Sequence, residues 1–519
     1  MSTVTITDKK KSAGESERSG FPFSPRWQTA LTYAIGLVLL LLGLYLRLHD
    51  LGLPFDRDGY DEGVYWQSLR AMAAGYPLYK SIFYSQPPAF LLLIYPFYML
   101  FGQSLWSARL GIAIVSLSGL VGAFLLGRAI SGRLGALAGL LLMVADPFYL
   151  SQSQKIQAEA PSAGFSLLSV GLAYLWWENP ESAAGLWLGA LCGITASLSI
   201  LSKLLGVTIL VPIGLLMLAQ LWRIFRQPRQ RRLRYATSLI VGVVAFLLTT
   251  AVFVLPYLVG SFHQFWAGVV TFHTTAGVKF KATLVNNFPM MVNLLTSITA
   301  FTALVSTIIA LLRRDWRVLP LLAWLGATIL VLLDQDPLFH HHLVALIPPM
   351  VALAVVGIAP LKLERTRGAI LRNVGTAITL VMIITALTLN FQGEQAYFQG
   401  ALIEANSAPI QQTLQVAQTL DQYTKPGQLV ITDAQFIAAL ANRSTPPSLV
   451  DTSLVRINTH YLTLQQLIQA ASDPRVHAVL FYTYRLTIKS VTPFHQWLAT
   501  HGFHLVKGYK PGQELWVRQ

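Results

Sequence analysis

Residues 53–70 read LPFDRDGYDEGVYWQSLR and set four carboxylates, Asp56, Asp58, Asp61 and Glu62, among Tyr60, Tyr65 and Trp66. An apolar run over 29–47 precedes the stretch. Gly75, Pro77 and a short apolar run from Pro88 to Phe101 follow it. These acids are either a solvated surface loop or a site at a lipid boundary, and the rest of the chain decides which. A carboxylate kept at such a boundary is costly and is generally retained for function.

Composition settles the setting. The 519 residues are 54% hydrophobic and 12% charged, with a mean hydropathy of +0.53; a soluble domain carries about 25% charged residues. One bilayer crossing takes ~20 apolar residues, each rising about 1.5 Å. Eleven runs near that length occur, at 29–47, 105–127, 134–151, 160–177, 184–202, 204–222, 236–258, 289–312, 317–334, 341–360 and 368–390. The run 88–101 is too short and reads as an interfacial or re-entrant helix, a position its aromatics suit. Gly132, Gly135 and Gly139 allow helices to approach closely. The single cysteine, Cys192, excludes an intrachain disulfide and a cysteine-based zinc site.

The net charge of +15 fits a nucleic-acid partner, a membrane surface or a topology signal. Its distribution chooses among them. With the N-terminus inside, the inner segments collect Lys9, Lys10, Lys11, Arg18 and Arg26, then Arg128 and Arg133. They also collect Arg223, Arg226, Arg229, Arg231, Arg232 and Arg234, then Arg313, Arg314, Arg317, Lys362, Arg365, Arg367 and Arg372. Counting 88–101 as a span would put the arginine run 223–234 outside, against the positive-inside rule. The expectation is therefore a multi-pass protein of the cell (inner or plasma) membrane with no nucleic-acid partner. It has a cytoplasmic tail, 1–28, a transmembrane region, 29–390, with a first external loop, 48–104, and an extracytoplasmic domain, 391–519. Strand-like runs Gln428–Thr432, Val476–Tyr482 and Phe503–Lys507, with helix-like stretches 408–421, 461–471 and 493–500, make that domain a small α/β unit. Neither a GxxxxGK[ST] loop nor a GxGxxG following a strand is present, so ATP or dinucleotide use is not indicated. The inner loops are too short for a nucleotide-sugar domain.

The succession Asp61-Glu62, Tyr65, Gly75-Tyr76-Pro77, Pro87-Pro88, Phe101-Gly102, Arg109, Arg128 and Glu159 resembles the GT-C glycosyltransferases that use polyprenyl-phosphate sugars. The protein O-mannosyltransferases and the aminoarabinose transferases of lipid A are the nearest pattern. The likeness runs through the membrane region and more weakly over the external domain. It implies an α-helical polytopic GT-C fold of about eleven transmembrane helices with the small C-terminal α/β domain. It also implies inverting transfer of a sugar from a polyprenyl-monophosphate donor to an acceptor hydroxyl on an envelope glycan, lipid or protein. By resemblance Asp61 is the catalytic base and Glu62 its neighbour, orienting it or facing solvent. Glu159 falls in the cavity where relatives often carry Asp. Lys279 falls near a family arginine at the phosphate, and His342 near a family tyrosine there.

The chemistry asks for the same groups. An acceptor oxygen needs a base for its proton, and a departing phosphate needs cations or hydrogen-bond donors. Lys203, which interrupts the apolar stretch 184–222, and two of His340, His341 and His342 suit the second task. Alternatives stand beside some of these. Lys279 also reads as a snorkelling interfacial lysine, and Glu159 as an i,i+4 ion pair with Lys155. Asp433, after a strand, reads as a turn former. The chain departs from the aminoarabinose transferases at Ser85-Gln86-Pro87, where those enzymes carry Glu-Lys-Pro. The phosphate lysine is replaced by Gln86 and the metal-binding acid is missing, so His273 alone makes no site. No metal and no cofactor are expected, and a different sugar or acceptor is implied. A transporter or flippase of lipid-linked sugars is the competing class; it would show paired repeats with broken midplane helices, which the sequence lacks.

Overall fold

The computed structural model describes residues 25–226, 229–281, 284–360 and 366–519. Most of the tail 1–28, with Lys362 and Arg365, lies outside them. The helices begin with α1 (Pro25–Leu48), α2 (Asp61–Ala73), α3 (Ala89–Leu100), α4 (Leu105–Val144) and α5 (Pro147–Gln152). They continue with α6 (Glu159–Glu178), α7 (Ala183–Ser202), α8 (Leu210–Arg226) and α9 (Arg229–Gly260). Helices Leu284–Leu295, Ile298–Leu312, Leu319–Asp334 and Arg367–Ala405 complete the long elements.

Among the described residues seven helices are long and apolar enough to cross a membrane, or eight if Asn286–Leu295 and Ile298–Leu312, bent by 77°, count as one. The eleven apolar runs depart from this for local reasons. Runs 105–127 and 134–151 fall largely in α4, which breaks at Gly132 (φ 71, ψ −151), backbone that only glycine adopts without strain. The second run then stops at Val144, because Asp146 caps α5 by accepting the Tyr149 N–H at 2.8 Å. Run 341–360 becomes a 3-10 turn, His340–Leu346, and a helix, Ile347–Ala354, whose every residue is buried. Its apolarity serves the protein core rather than lipid. The close approach expected at the glycines holds at Gly135 and Gly139, where a Cβ would lie 2.6 Å from the Gly127 carbonyl and 2.8 Å from that of Ala123.

The 12-residue α3 is too short to span and packs on α4, as its length requires. In the C-terminal domain a sheet of order β1-β2-β4-β3 is built from β1 (Leu429–Thr432), β2 (Val476–Phe481), β3 (Phe503–Lys510) and β4 (Gln513–Arg518). β1 and β2 are parallel; β4 is antiparallel to both β2 and β3. Alternation buries both faces. Val430, Ala478 and Leu480 meet the helix Ala408–Tyr423, whereas Ile431, Val479 and Phe481 meet Leu467, Phe494 and Leu498. Helix Arg367–Ala405 runs unbroken across 390–391, so the domain rises on a rigid rod. It leans on the first loop: Gln67 of α2 donates to the carbonyls of Gln435 (3.2 Å) and Arg443 (3.0 Å). Gly63 permits the contact, since a Cβ there would lie 2.5 Å from the Phe436 nitrogen. Loop and domain thus occupy the same end of the helical bundle.

Candidate active site

The acidic stretch is shaped by its own side chains. Asp56 accepts the N–H groups of Asp58 and Gly59, both at 2.9 Å, and Gly59 (φ 85) turns the chain into α2. Burial, with Glu62 adding to it, pushes Asp56 up to about 8. Asp56 is therefore a turn former. Glu62 has no side-chain exposure and is paired with an equally buried Arg109. Its oxygens accept from Arg109 Nε and Nη2, each at 2.7 Å, and from the backbone N–H groups of Arg57 (2.9 Å) and Ile156 (3.1 Å). Arg109 donates its remaining protons to the carbonyls of Leu51, Leu53 and Phe55. Glu62, expected to orient Asp61 or face solvent, does neither: it pins the loop to α4.

Asp61 and Asp58 face the other way, into a cavity of about 870 Å³ between the loop, the bundle and the C-terminal domain. Asp58 Oδ1 lies 3.3 Å from His341 Nδ1 and Asp61 Oδ2 lies 3.8 Å from His341 Nε2. The same Nε2 is 3.5 Å from Glu159 Oε1, and His342 Nε2 is 4.0 Å from it. Lys203 donates directly to that oxygen. The 3-10 turn is what lets adjacent His341 and His342 both reach Glu159, while His340, which also lines the cavity, lies against Phe148, 5.0 Å between centroids. Burial raises Asp61 to about 6, with the Asp58 and Glu159 charges adding and His341 and Lys203 opposing. For Asp58 burial also acts upward, but the hydrogen bond and charge of His341, with Lys155, outweigh it and leave the carboxyl below its ordinary value.

Gln86, Lys203, His341 and His342 line this cavity with Asp61; Glu159 lies behind His341 and lines a smaller recess that shares Lys203, Leu205 and His342 with it. That recess, of about 10 Å³, is closed by Trp324 and Val344 with Ser162, Ser166 and Thr208. Lys279 is the exception. It ends the helix Phe272–Lys279 exposed, beyond the last lining residue of that helix, Gly277. Lys155, read as a partner for Glu159, instead lines the cavity near Asp58 and leaves Glu159 to Lys203, because 153–158 is not helical. His273 lines the cavity with its Nε2 2.5 Å from the Ser85 carbonyl. The residues that sequence reasoning missed are Tyr60, Arg57 and, from the C-terminal domain, Asp451 and Arg485. Nothing local in the sequence marks the last two.

Among the described residues two groups have donor atoms close enough to hold a metal ion: Glu159 with His341 and His342, and Asp58 and Asp61 with His341. The donor types suit a divalent ion, and among the same residues Glu159 Oε2 has no hydrogen-bond partner. On the other oxygen the Lys203 ammonium already supplies positive charge.

Residues 31–273 match the model of the dolichyl-phosphate-mannose-protein mannosyltransferase family. No curated protein matches the chain. Among solved structures it is similar to ArnT from Cupriavidus metallidurans, bound to undecaprenyl phosphate (TM-score 0.60) and in the apo state (0.62). Both are 15% identical and cover 95% of this chain and 98% of that one. It is also similar to the Archaeoglobus fulgidus oligosaccharyltransferase tethered to an acceptor peptide (TM-score 0.51, 14% identical, 96% of this chain and 75% of that one). At these identities the structural likeness speaks for the fold, and the family model for the half of the chain that carries the acidic loop. The chain is thus similar, in its family-model match over 31–273 and in its fold, to membrane glycosyltransferases of the GT-C class.

Proposed function

We propose that this glycosyltransferase moves a single sugar from a polyprenyl monophosphate to a hydroxyl of an envelope glycan, lipid or protein on the extracytoplasmic face, with inversion. The observation that carries the reading is Asp61: a carboxylate that faces the cavity with Asp58 beside His341, on a loop whose remaining acids, Asp56 and Glu62, are structural. The acceptor oxygen attacks the anomeric carbon from the side opposite the phosphate, the acceptor proton passes to Asp61, and the carbon–oxygen bond to phosphate breaks. The leaving polyprenyl phosphate keeps the bonding pair and needs positive charge. Lys203 offers its ammonium on the cavity wall, and His342, whose imidazole burial holds well below its ordinary pKa, offers a neutral hydrogen bond beside it. Gln86 and His273 offer hydrogen bonds to the sugar or phosphate on the same wall. Asp58 orients His341, which in turn faces Asp61 and Glu159. Glu62 and Arg109 are positioning residues: they set the helix start from which Asp61 projects. Charge neutralisation is assigned to Lys203 rather than to a metal ion.

The positive-inside distribution puts the cavity and the C-terminal domain outside the cell. The test is transfer from radiolabelled undecaprenyl-phosphate sugars to an envelope fraction by the protein in liposomes. Transfer that is lost in Asp61→Asn, with the variant folded and inserted, supports the assignment. Wild-type rates in that variant would overturn the role of Asp61, and transfer from nucleotide sugars alone would overturn the donor class.

A further inference from the structure

Arg485, from the C-terminal domain, is a cation of the cavity wall with no task in the step above. Its guanidinium carbon lies 3.9 Å from the centroid of the Tyr60 ring, and Tyr60 immediately precedes Asp61. Among the described residues no hydrogen bond or ion pair engages its guanidinium; the other cavity cations outside Lys155 are taken. Arg57 donates to Gln154 (2.5 Å) and Tyr397 (2.8 Å), and Lys203 to Glu159.

The placement is built. Tyr60 is fixed by accepting the Thr452 N–H at 2.8 Å and donating to Asp451 Oδ1 at 3.1 Å. Asp433, which the sequence suggested as a turn former, holds the turn bearing Arg485. It accepts the N–H groups of Tyr482 (2.8 Å), Thr483 (3.0 Å) and Leu486 (3.3 Å). Tyr484 within that turn has φ 64, a left-handed conformation that a bulky residue adopts only when its surroundings impose it. A strained turn, three hydrogen bonds and an aromatic platform thus present one planar fork of donors to the cavity that Asp61 also lines. Guanidinium groups suit oxyanions of phosphates and carboxylates, which they bind in bidentate fashion.

We propose that Arg485 is a specificity residue for the acceptor: it binds an anionic group, phosphate or carboxylate, carried by the acceptor molecule near the hydroxyl that receives the sugar. The inference rests on the transfer reading above. The donor phosphate is assigned to Lys203, so the lining formed by Tyr60, Asp451, Leu454 and Arg485 is left to the acceptor. Asp433 acts through Arg485 as a positioning residue.

The experiment uses the full chain in liposomes with an undecaprenyl-phosphate sugar and an envelope glycolipid fraction in three forms: untreated, phosphatase-treated and amidated at its carboxylates. Release of sugar to water without acceptor is the donor-side readout. Arg485→Gln should raise the half-saturating acceptor concentration about 10- to 100-fold, as loss of a charge-assisted bidentate contact does. Maximal rate and donor hydrolysis should stay within about twofold of wild type on the same principle, and Arg485→Lys should recover part of the loss. Phosphatase should abolish the difference between wild type and R485Q if the anion is a phosphate, and amidation if it is a carboxylate. An unchanged half-saturation in R485Q, a difference that survives both treatments, or an equal loss of donor hydrolysis would overturn the acceptor site. Absence of transfer by the wild-type protein itself would overturn the transfer reading and the acceptor site with it.

Discussion

Glu62 holds four donors on two oxygens and has no exposure, whereas Asp61, one residue earlier, keeps 36% of its side-chain exposure and lies 3.8 Å from His341 Nε2. The Glu62–Arg109 pair is closed: every strong acceptor site is used, so it can fix geometry but cannot take a proton from a substrate. The cluster of Asp58, Asp61, Glu159, His341, His342 and Lys203 is open, with separations of 3.3 to 4.0 Å among most of its groups. A buried ion pair of the first kind is strongly destabilising when one partner is removed, because the other charge is left without compensation. A loosely paired carboxylate on a cavity is what proton transfer needs.

Substitutions can break this contrast. Asp61→Asn should lower the transfer rate about 10³-fold, within the range for loss of a general base, with unfolding in detergent unchanged. Arg109→Ala should do the reverse in kind: it should cost about 3–5 kcal/mol of stability, read as a lowered unfolding midpoint. Its activity should fall only in proportion to the folded fraction. If Arg109→Ala left stability intact while abolishing transfer, the two roles would have to be exchanged.

The open cluster also predicts a pH profile. Asp61 acts as a base only when ionised, and its carboxyl is raised to about 6. Activity is therefore present above about pH 6 and is lost as pH falls through that value, with kcat/KM dropping about tenfold per unit below it. A profile flat down to pH 4.5 would remove Asp61 as the titrating base. Lys203→Met should weaken donor use about tenfold, the scale of one charged hydrogen bond, with acceptor half-saturation unaffected. The smallest effects are expected for Lys279→Ala, which lies outside the cavity lining, and for chelation. Transfer after EDTA treatment should remain within about twofold, since Lys203 already neutralises Glu159. A large loss restored by a divalent ion would instead put a metal on Glu159, His341 and His342.

Much of this was legible in the chain. Asp61, the short helix 89–100 and Lys203 were visible because each violates its surroundings: an acid at a lipid boundary, an apolar run too short to span, a lysine inside an apolar stretch. Glu62 was not separable from Asp61, since the difference between them is Arg109, 47 residues away on another helix. The i,i+4 spacing of Lys155 and Glu159 suggested a pair that forms only if the segment is helical, and it is not. The runs at 134–151 and 341–360 were apolar for burial against protein rather than for lipid, and composition does not distinguish those two solvents.

By itself, then, the sequence determined a lipid-solvated, many-helix chain with an acidic loop after the first helix and a small α/β domain. Those follow from hydropathy, charge and periodicity, which are local quantities. Only the tertiary structure decided which acid faces the cavity, which cation neutralises Glu159, and that Arg485 from the distant domain stands over Tyr60. Those outcomes depend on contacts between residues 44 or more positions apart, and on different elements, where the preference of each charge is set by the partners that burial leaves it.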